Sequence, residues 1–490
     1  MTMRYRKTIV LFILIGCLSA LAQPKKVPKT RLVRLTLDDK AYDDLKAMKI
    51  EFVTGLEDTT ALAVVSDAES AVLDERGYHY DLVLQNEEKV ELYKHALYGP
   101  ERKLDLVYHT YEDILAEIRA LQVKHPELVH IEKIGKTSQE KRDIYAVKLS
   151  DNADIEEDEP SILFSGAIHA DELAGTEICM TLINNLVDRY EIEERETDWV
   201  NDYEIWFIPV INVDGHHVVT ANIDPRWRKN TRDTNNNGTL YEYGDGIDLN
   251  RNFDYNWAHG GSGDSSSQRY RGTFPFSESE CVAVAGLAER QKFLLSVTYH
   301  SQGEVIYYPW DWRGRKAPDD KVLTRIANGL GASITTLNGD TTYIPHYGAG
   351  TVGQTYPWLY GAVGTLDFVV ETGKNRHIFA KESLQKIIAS NLQGACYMLE
   401  QMKGPGIRGH VNDAVTGHPL QAEVFLPDID TKDIDVRTSD AMFGRYDRIL
   451  SAGSHRLIIR KPGYQTRVFD TVTVNQQGWT TLNVRLMPEF

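Results

Sequence analysis

Two histidines and two glutamates draw attention through where they fall along the chain. The apolar run Ser161-Ile162-Leu163-Phe164-Ser165-Gly166-Ala167-Ile168 leads into His169, and Glu172 follows where a helix begins. A second apolar run, Leu294 to Tyr299, ends in His300, and a third, Leu366 to Val370, ends in Glu371. A His-x-x-Glu step at a strand-to-helix turn lets an imidazole and a carboxylate converge on one point. Alone, such a step is more often structural than ligating. With a second strand-terminal histidine it completes the three N/O donors that a catalytic zinc ion takes. Glu371, at a strand end, suits a general base that takes a proton from water and returns it to a leaving amine.

Two cation-bearing segments flank a glycine-containing insertion: Arg226-Trp227-Arg228-Lys229 and Asn250-Arg251-Asn252. An arginine grips a free carboxylate with a planar fork, and a second arginine can hold a developing oxyanion. Without a metal beside them, both would read as solvent-facing. Asp248 is the candidate acceptor for the second ring N–H of His169, since metal-bound histidines usually donate that proton; the alternative for Asp248 is a turn cap. Between the two segments, Asp233-Thr234-Asn235-Asn236-Asn237-Gly238 fits the opening of a Ca2+ loop, but no acidic residue stands at the closing position. The alternative there is an asparagine-rich surface turn.

These residues need a scaffold that brings distant strand ends together. From about 104 to 403 the chain alternates helix and strand: helix 111–125, strands 144–149 and 161–167, helix 173–190, strand 204–211 and a closing helix at 381–402. That order predicts an α/β domain with a mixed or mostly parallel sheet, whose ligands sit beyond the carboxyl ends of strands. Before it, residues 23–100 hold the pattern βαββαβ, as in a small ferredoxin-like α+β module, and a charged connector. After Gly404-Pro405-Gly406, residues 404–490 read as short strands of a C-terminal β-sandwich, among them 422–426, 455–459 and 481–486.

Composition narrows the function classes. Hydrophobic residues make up 42% of the 490 and charged residues 26%, ordinary values for a globular protein. A formal net charge of -17 leaves no basic surplus to neutralise phosphates, which argues against a nucleic-acid partner. Arg4, Arg6 and Lys7 precede the apolar run Ile9 to Ile15, then Ala20-Leu21-Ala22-Gln23. Residues 1–22 therefore read as a secretory signal peptide cleaved after Ala22, giving a secreted, periplasmic or cell-surface protein. Leu14-Ile15-Gly16-Cys17 offers the second reading, a lipoprotein anchored at Cys17. No later segment reads as an integral membrane span. Cys179, Cys281 and Cys396, the cysteines beyond the signal, are an odd set in apolar contexts and read as buried free thiols.

The stretches His169-Ala170-Asp171-Glu172, Arg226-Trp227-Arg228-Lys229, Gly246-Ile247-Asp248-Leu249-Asn250-Arg251-Asn252-Phe253, His300-Ser301 and Val370-Glu371-Thr372-Gly373 together resemble the zinc metallocarboxypeptidases of the carboxypeptidase A/B and E/N/D kind. Order and approximate spacing agree over about 300 residues. The resemblance implies a mixed eight-stranded sheet flanked by helices, one Zn2+ on His169, Glu172 and His300, and Glu371 as base and acid. It further implies Arg228 as oxyanion clamp, Asn250 and Arg251 as the grip on the substrate's terminal carboxylate, and peptide or protein C-termini as partners. Tyr347 matches the family's mobile tyrosine, with Tyr356 and Tyr360 as rivals, and Tyr356 falls at the pocket-floor position. Tyr356 and Val369 favour an apolar or aromatic terminal side chain, whereas Asp367 would attract Lys or Arg. Asp171 stands where the pancreatic branch carries arginine. The β-sandwich resembles the transthyretin-like domain of the E/N/D branch, and the N-terminal module resembles an activation segment in element order. The stretch from His300 to Tyr307 also resembles bacterial peptidases that cut γ-D-glutamyl-diamino-acid bonds in peptidoglycan. A non-catalytic peptide-binding relative on the same fold is the third alternative.

Overall fold

The structure is a computed structural model describing residues 30–48, 50–52, 60–84, 108–242, 244–310, 314–348, 352–374, 377–431 and 433–489. The expected signal peptide, the alternative lipid-anchor position Cys17 and the expected connector between residues 89 and 103 lie outside the described residues. The chain forms two compact units, Met1–Arg102 and Lys103–Phe490.

In the first unit, β1 (Thr30–Thr36), β2 (Glu51–Phe52), β3 (Thr60–Ser66) and β4 (Tyr80–Leu84) form one sheet in the order β2-β3-β1-β4. Its strand pairs are all antiparallel. Alternation along β1 and β3 puts Val33, Leu35, Ala61, Ala63 and Val65 into one core with Leu45 and Leu73 of the two helices, Asp39–Ala47 and Asp67–Glu75. The βαββαβ order expected of this region is what the structure contains.

The second unit is built on an eight-stranded mixed sheet. Its strands are β5 (Val129–Lys136), β6 (Asp143–Leu149), β7 (Ser161–Ser165), β8 (Glu204–Ile208), β9 (Leu295–His300), β10 (Val305–Tyr308), β11 (Ile344–Tyr347) and β12 (Leu366–Glu371), in the spatial order β11-β10-β12-β9-β7-β8-β6-β5. The central strands β12, β9, β7 and β8 run parallel, while β5, β6 and β10 pair antiparallel with their neighbours β6, β8 and β12. Strands covered on both faces read as continuous apolar runs, and β7, β8 and β9 are buried at every position. Helices Ala174–Arg189, Ser279–Gln291, Asp320–Ser333 and Lys381–Gln401 supply much of the covering layers and join the same core.

Three elements differ from the sequence expectation. The strand expected at 161–167 stops at Ser165, because Ala167 takes a left-handed φ of 45° that no ladder accommodates. The strand expected at 204–211 stops at Ile208; the chain then turns to Asn212, whose side chain caps helix Val213–Thr220 by accepting the Gly215 N–H at 3.0 Å. The strand expected at 481–486 is two pieces, β18 (Trp479–Thr481) and β19 (Val484–Leu486). At the break the Asn483 side chain, not its backbone, accepts the His410 N–H at 3.0 Å.

These two pieces belong to the C-terminal sandwich. One sheet holds β13 (Gly406–Asp413), β15 (Arg445–Ile449), β18 and β19, and the other β14 (Glu423–Phe425), β16 (Gly453–Arg460) and β17 (Arg467–Val474). Ile407, Val411, Val424, Leu457, Ile459 and Leu486 form a core separate from that of the large sheet. Trp479 ties the sandwich to the end of helix Lys381–Gln401 by donating to the Met402 carbonyl at 3.1 Å. Cys179 and Cys281 are buried free thiols, and burial raises both well out of the reactive range. Among the described residues, no helix is long and apolar enough to cross a membrane.

Candidate active site

The carboxyl ends of β7, β9 and β12 lie side by side. Beyond β7, the turn at Gly166 and Ala167 carries the chain to His169 and Glu172, and helix Ala174–Arg189 starts just after. That turn is tight: a Cβ on Gly166 would lie 2.7 Å from the Gly175 carbonyl carbon, so only glycine lets the helix sit this close. His300 ends β9, and Glu371 stands directly opposite it in the parallel β9–β12 ladder.

His169, Glu172 and His300 are all buried, and one ligating atom from each lies within 4.8 Å of the others. His169 Nδ1 is 2.9 Å from Glu172 Oε1, His300 Nδ1 is 2.7 Å from Glu172 Oε2, and the two Nδ1 atoms are 3.1 Å apart. The Ser301 N–H donates to Glu172 Oε2 at 3.1 Å and fixes the carboxylate. Burial by itself would raise the Glu172 carboxyl, but His169 and His300 outweigh it and hold the group well below the usual range. Two imidazole nitrogens and an ionised carboxylate, buried and convergent, are a donor set that fits Zn2+.

Asp248 lies behind His169. Its Oδ1 is 3.2 Å from His169 Nε2, and its backbone is pinned by an N–H donation to the Tyr270 carbonyl at 2.8 Å. Asp248 precedes a short helical turn, Leu249–Arg251, yet its side chain makes no cap bond to it, so the turn-cap alternative does not hold. Burial opposes ionisation of Asp248, but Arg251 and Arg228 keep its pKa far below the ordinary carboxylate value. Arg228 donates to Glu172 Oε1 at 3.1 Å and Asp248 Oδ2 at 3.4 Å, with its Nη2 2.7 Å from His169 Nε2. Burial alone would lower its pKa; Asp248, Glu172, Asp171 and Glu371 reverse that and keep it charged. The Arg228 carbonyl accepts from Ala170 N at 3.0 Å, which ties this loop to the one bearing His169.

Asn250 and Arg251 follow on the same turn. Asn250 Oδ1 accepts the Thr355 N–H at 3.0 Å, and its Nδ2 lies 3.1 Å from His300 Nε2. Arg251 is 8% exposed, donates to the Asn250 carbonyl at 2.6 Å and has no partner for its buried Nε. Burial lowers its pKa despite Asp248. Burial also pushes the Glu371 carboxyl up to about 7, against the pull of His300, Arg228 and Arg251. Tyr356 is fully buried on the short helix Thr355–Trp358, and its phenol acts electrostatically on Arg251.

The structure brings together nine of the ten residues singled out from the sequence. The tenth, Tyr347, is 39% exposed at the end of edge strand β11, with the Lys316 ammonium 5.6 Å above its ring. Its rival Tyr360 is buried and bonds Asp319 Oδ2 at 2.9 Å. Asp367 is unavailable to a substrate: it is wholly buried and accepts from the Ser296 and Thr298 hydroxyls of β9. The calcium expectation finds no support either. Asp233 accepts from the Asn237 and Gly238 N–H groups at 3.3 and 2.8 Å, and Asn237 Oδ1 from Thr239 N at 2.7 Å, so these oxygens serve the loop's own turns. Sequence reasoning missed Thr355, which holds Asn250, and His377. His377 Nδ1 lies 3.5 Å from the Ser301 hydroxyl and its Nε2 4.0 Å from Asp171 Oδ2. No motif marks either residue; contact with the site alone identifies them.

An α/β sheet with a buried, convergent His-Glu-His donor set at its strand ends fits a metal-dependent hydrolase. Comparison places it: residues 114–393 match the zinc carboxypeptidase family, and the chain belongs to that family and is a metallocarboxypeptidase. It is 28% identical over 332 residues to carboxypeptidase A4 of Mus musculus, covering 67% of this chain and 70% of that protein. With carboxypeptidase D of Homo sapiens it shares 26% identity over 414 residues, 80% of this chain but only 28% of that longer protein. Among solved structures, a carboxypeptidase A from Helicoverpa armigera shares the fold, with a TM-score of 0.57 at 18% identity over 76% of this chain and 97% of that one.

Proposed function

We propose that this protein is a secreted carboxypeptidase that removes residues from the free C-termini of peptides, with residues 23–100 as an N-terminal module, 104–403 as the catalytic domain and 404–490 as an appended sandwich. The observation that carries the reading is the convergence of His169, Glu172 and His300 within 4.8 Å, with Glu371 paired to His300 across the ladder. His169 and His300 would hold Zn2+ through Nδ1 and Glu172 through its carboxylate, with Asp248 accepting a hydrogen bond from the His169 Nε2–H. Zinc there supplies Lewis-acid activation of water and of the scissile carbonyl. Arg251 and Asn250 bind the terminal carboxylate, and the free Nε of Arg251 leaves donor capacity for it. Glu371 accepts the proton of the attacking water and passes it to the leaving nitrogen. Arg228 donates to the oxygen that gains charge.

The test is a panel of blocked dipeptides varying the terminal residue, alongside a γ-D-glutamyl-diamino-acid muropeptide. Each is run with and without a chelator, for the wild type and Glu371→Gln. Hydrolysis of ordinary C-termini that a chelator abolishes and zinc restores supports the reading, as does a loss of about 10²–10⁴-fold in Glu371→Gln with zinc retained. Muropeptide cleavage alone would shift the substrate class. Equal rates in wild type and Glu371→Gln would remove Glu371 from its role.

A further inference from the structure

The helix that carries Tyr356 is clamped at both ends, and one clamp comes from the sandwich. Thr355–Trp358 runs directly into a π-helical turn, Leu359–Val363. At the start, the Thr355 N–H donates to the Asn250 side chain at 3.0 Å. The last carbonyls of any helix lack partners within it and must find them elsewhere. Here the Leu359 carbonyl is satisfied locally, by Gly364 N at 2.8 Å and Thr365 N at 3.1 Å. Among the described residues, the next two find their donors in the sandwich. Arg437, in the sandwich between β14 and β15, donates Nη2 to the Tyr360 carbonyl and Nη1 to the Gly361 carbonyl at 3.2 Å. The Asp435 N–H adds a second bond to Gly361 at 2.8 Å.

The surrounding residues fit this contact. Gly364 ends the turn at φ +103°, and a Cβ there would lie 2.9 Å from Arg437 Cδ and Nε, so the helix end is shaped to admit that side chain. Tyr360 bonds Asp319 through its hydroxyl at 2.9 Å and packs edge-on against Trp310 at 5.2 Å, and Trp310 in turn stacks on Tyr255 at 5.1 Å. A cation at a helix C-terminus also meets the negative end of the helix dipole.

We propose that Arg437 is a positioning residue for substrate selection: by capping the carbonyls of Tyr360 and Gly361, the sandwich fixes the helix that presents Tyr356 beside Arg251. The claim rests on the proposed function for what Tyr356 does, but not for the capping itself. Without the cap, the segment from Thr355 to Thr365 loosens and the pocket discriminates less between terminal side chains.

The experiment uses the full chain with Arg437→Ala, Arg437→Lys and, as comparison, Arg445→Ala, which removes another sandwich arginine that reaches a catalytic-region carbonyl, Glu157, at 3.3 Å. Amide hydrogen exchange over residues 352–366 is read first. Next, kcat and KM are measured for one large and one small terminal residue. In Arg437→Ala, exchange in that segment should quicken by about tenfold or more. The ratio of kcat/KM between the two substrates should fall by at least about threefold, chiefly through KM. Arg437→Lys, which keeps the charge but not the fork, should lie between wild type and alanine, and it decides the matter if the alanine variant does not fold. Arg445→Ala should leave both readouts at wild-type values. The proposal is overturned by wild-type exchange in a folded Arg437 variant, by an unchanged substrate ratio despite faster exchange, or by equal losses in Arg445→Ala. Absence of any hydrolysis by the wild-type protein would instead sink the proposed function, and the exchange readout would still judge the cap.

Discussion

Replacing Asp248 with asparagine tests whether the metal centre depends on the residue behind its first histidine. Asp248 is fully buried, 3.2 Å from His169 Nε2 and 3.4 Å from Arg228 Nη2. Asparagine keeps the volume and one acceptor but removes the charge that favours a proton on Nε2 and frees Nδ1 to ligate. Loss of such an orienting partner typically weakens metal binding by about 10–100-fold, or about 1.4–2.8 kcal/mol. Suppose free zinc is held at 1,000 times the wild-type Kd. The metal then stabilises the wild-type fold by about 4.1 kcal/mol and the variant by only about 1.4–2.7 kcal/mol. Two assays read this. One is a competition titration against a chromophoric zinc chelator. The other is urea unfolding of the zinc-loaded and zinc-free forms of each protein. The loaded-minus-free difference matters because it cancels the separate cost of leaving Arg228 and Arg251 with less negative charge nearby. A zinc Kd within twofold of wild type, or a stability loss that is the same with and without zinc, would refute the reasoning.

Three further outcomes follow from the same geometry. Burial places the Glu371 carboxyl at about 7, and a base must be ionised, so kcat/KM should fall about tenfold per pH unit on the acid side of that value. A bound cation pulls the limb lower, so an acid limb centred above pH 8 would contradict the assignment. Arg251→Ala should lower kcat/KM for free C-termini by roughly 10–150-fold, the worth of a charged hydrogen bond. It should leave C-terminally amidated peptides as poor as before, and competition between the two substrate types measures both. Glu280, buried and bonded to Ser138, has its carboxyl raised from 4.5 to about 7 by burial. The folded state therefore binds that proton more tightly than the unfolded chain does. This stability is complete below pH 4.5 and lost as pH rises through about 7. Glu280→Gln should thus be more stable than wild type at pH 8.5, by up to about 3 kcal/mol, with the gap closing near pH 5 in urea titrations.

The convergence of His169, Glu172, His300 and Glu371 was legible in the sequence because the ends of apolar runs announce themselves. An apolar run that stops at a histidine or glutamate needs a reason to do so, and His169, His300 and Glu371 each end one. Asp248 was legible for a related reason, since a ligating imidazole needs an acceptor. The pairings that no local pattern encodes were not legible. Asp367 looked like a pocket residue because strand alternation puts it on the same face as Glu371, but alternation does not reveal that Ser296 and Thr298 one strand away already occupy it. The Arg437 cap joins residues 77 apart in sequence, and nothing near position 437 hints at a helix end needing donors. Tyr347 was chosen by likeness alone, and an exposed place on edge strand β11 is consistent with many roles.

The pairing of Glu371 with His300 makes the hydrogen-bond lattice of the sheet act as a ruler. Neighbouring strands are held about 4.8 Å apart by their ladder, and side chains alternate faces with a period of two. A single residue inserted into either strand would swing its terminal side chain to the opposite face rather than displace it slightly. Spacing between Glu371 and His300 is thereby discretised, and insertions can accumulate in the surrounding loops without detuning it.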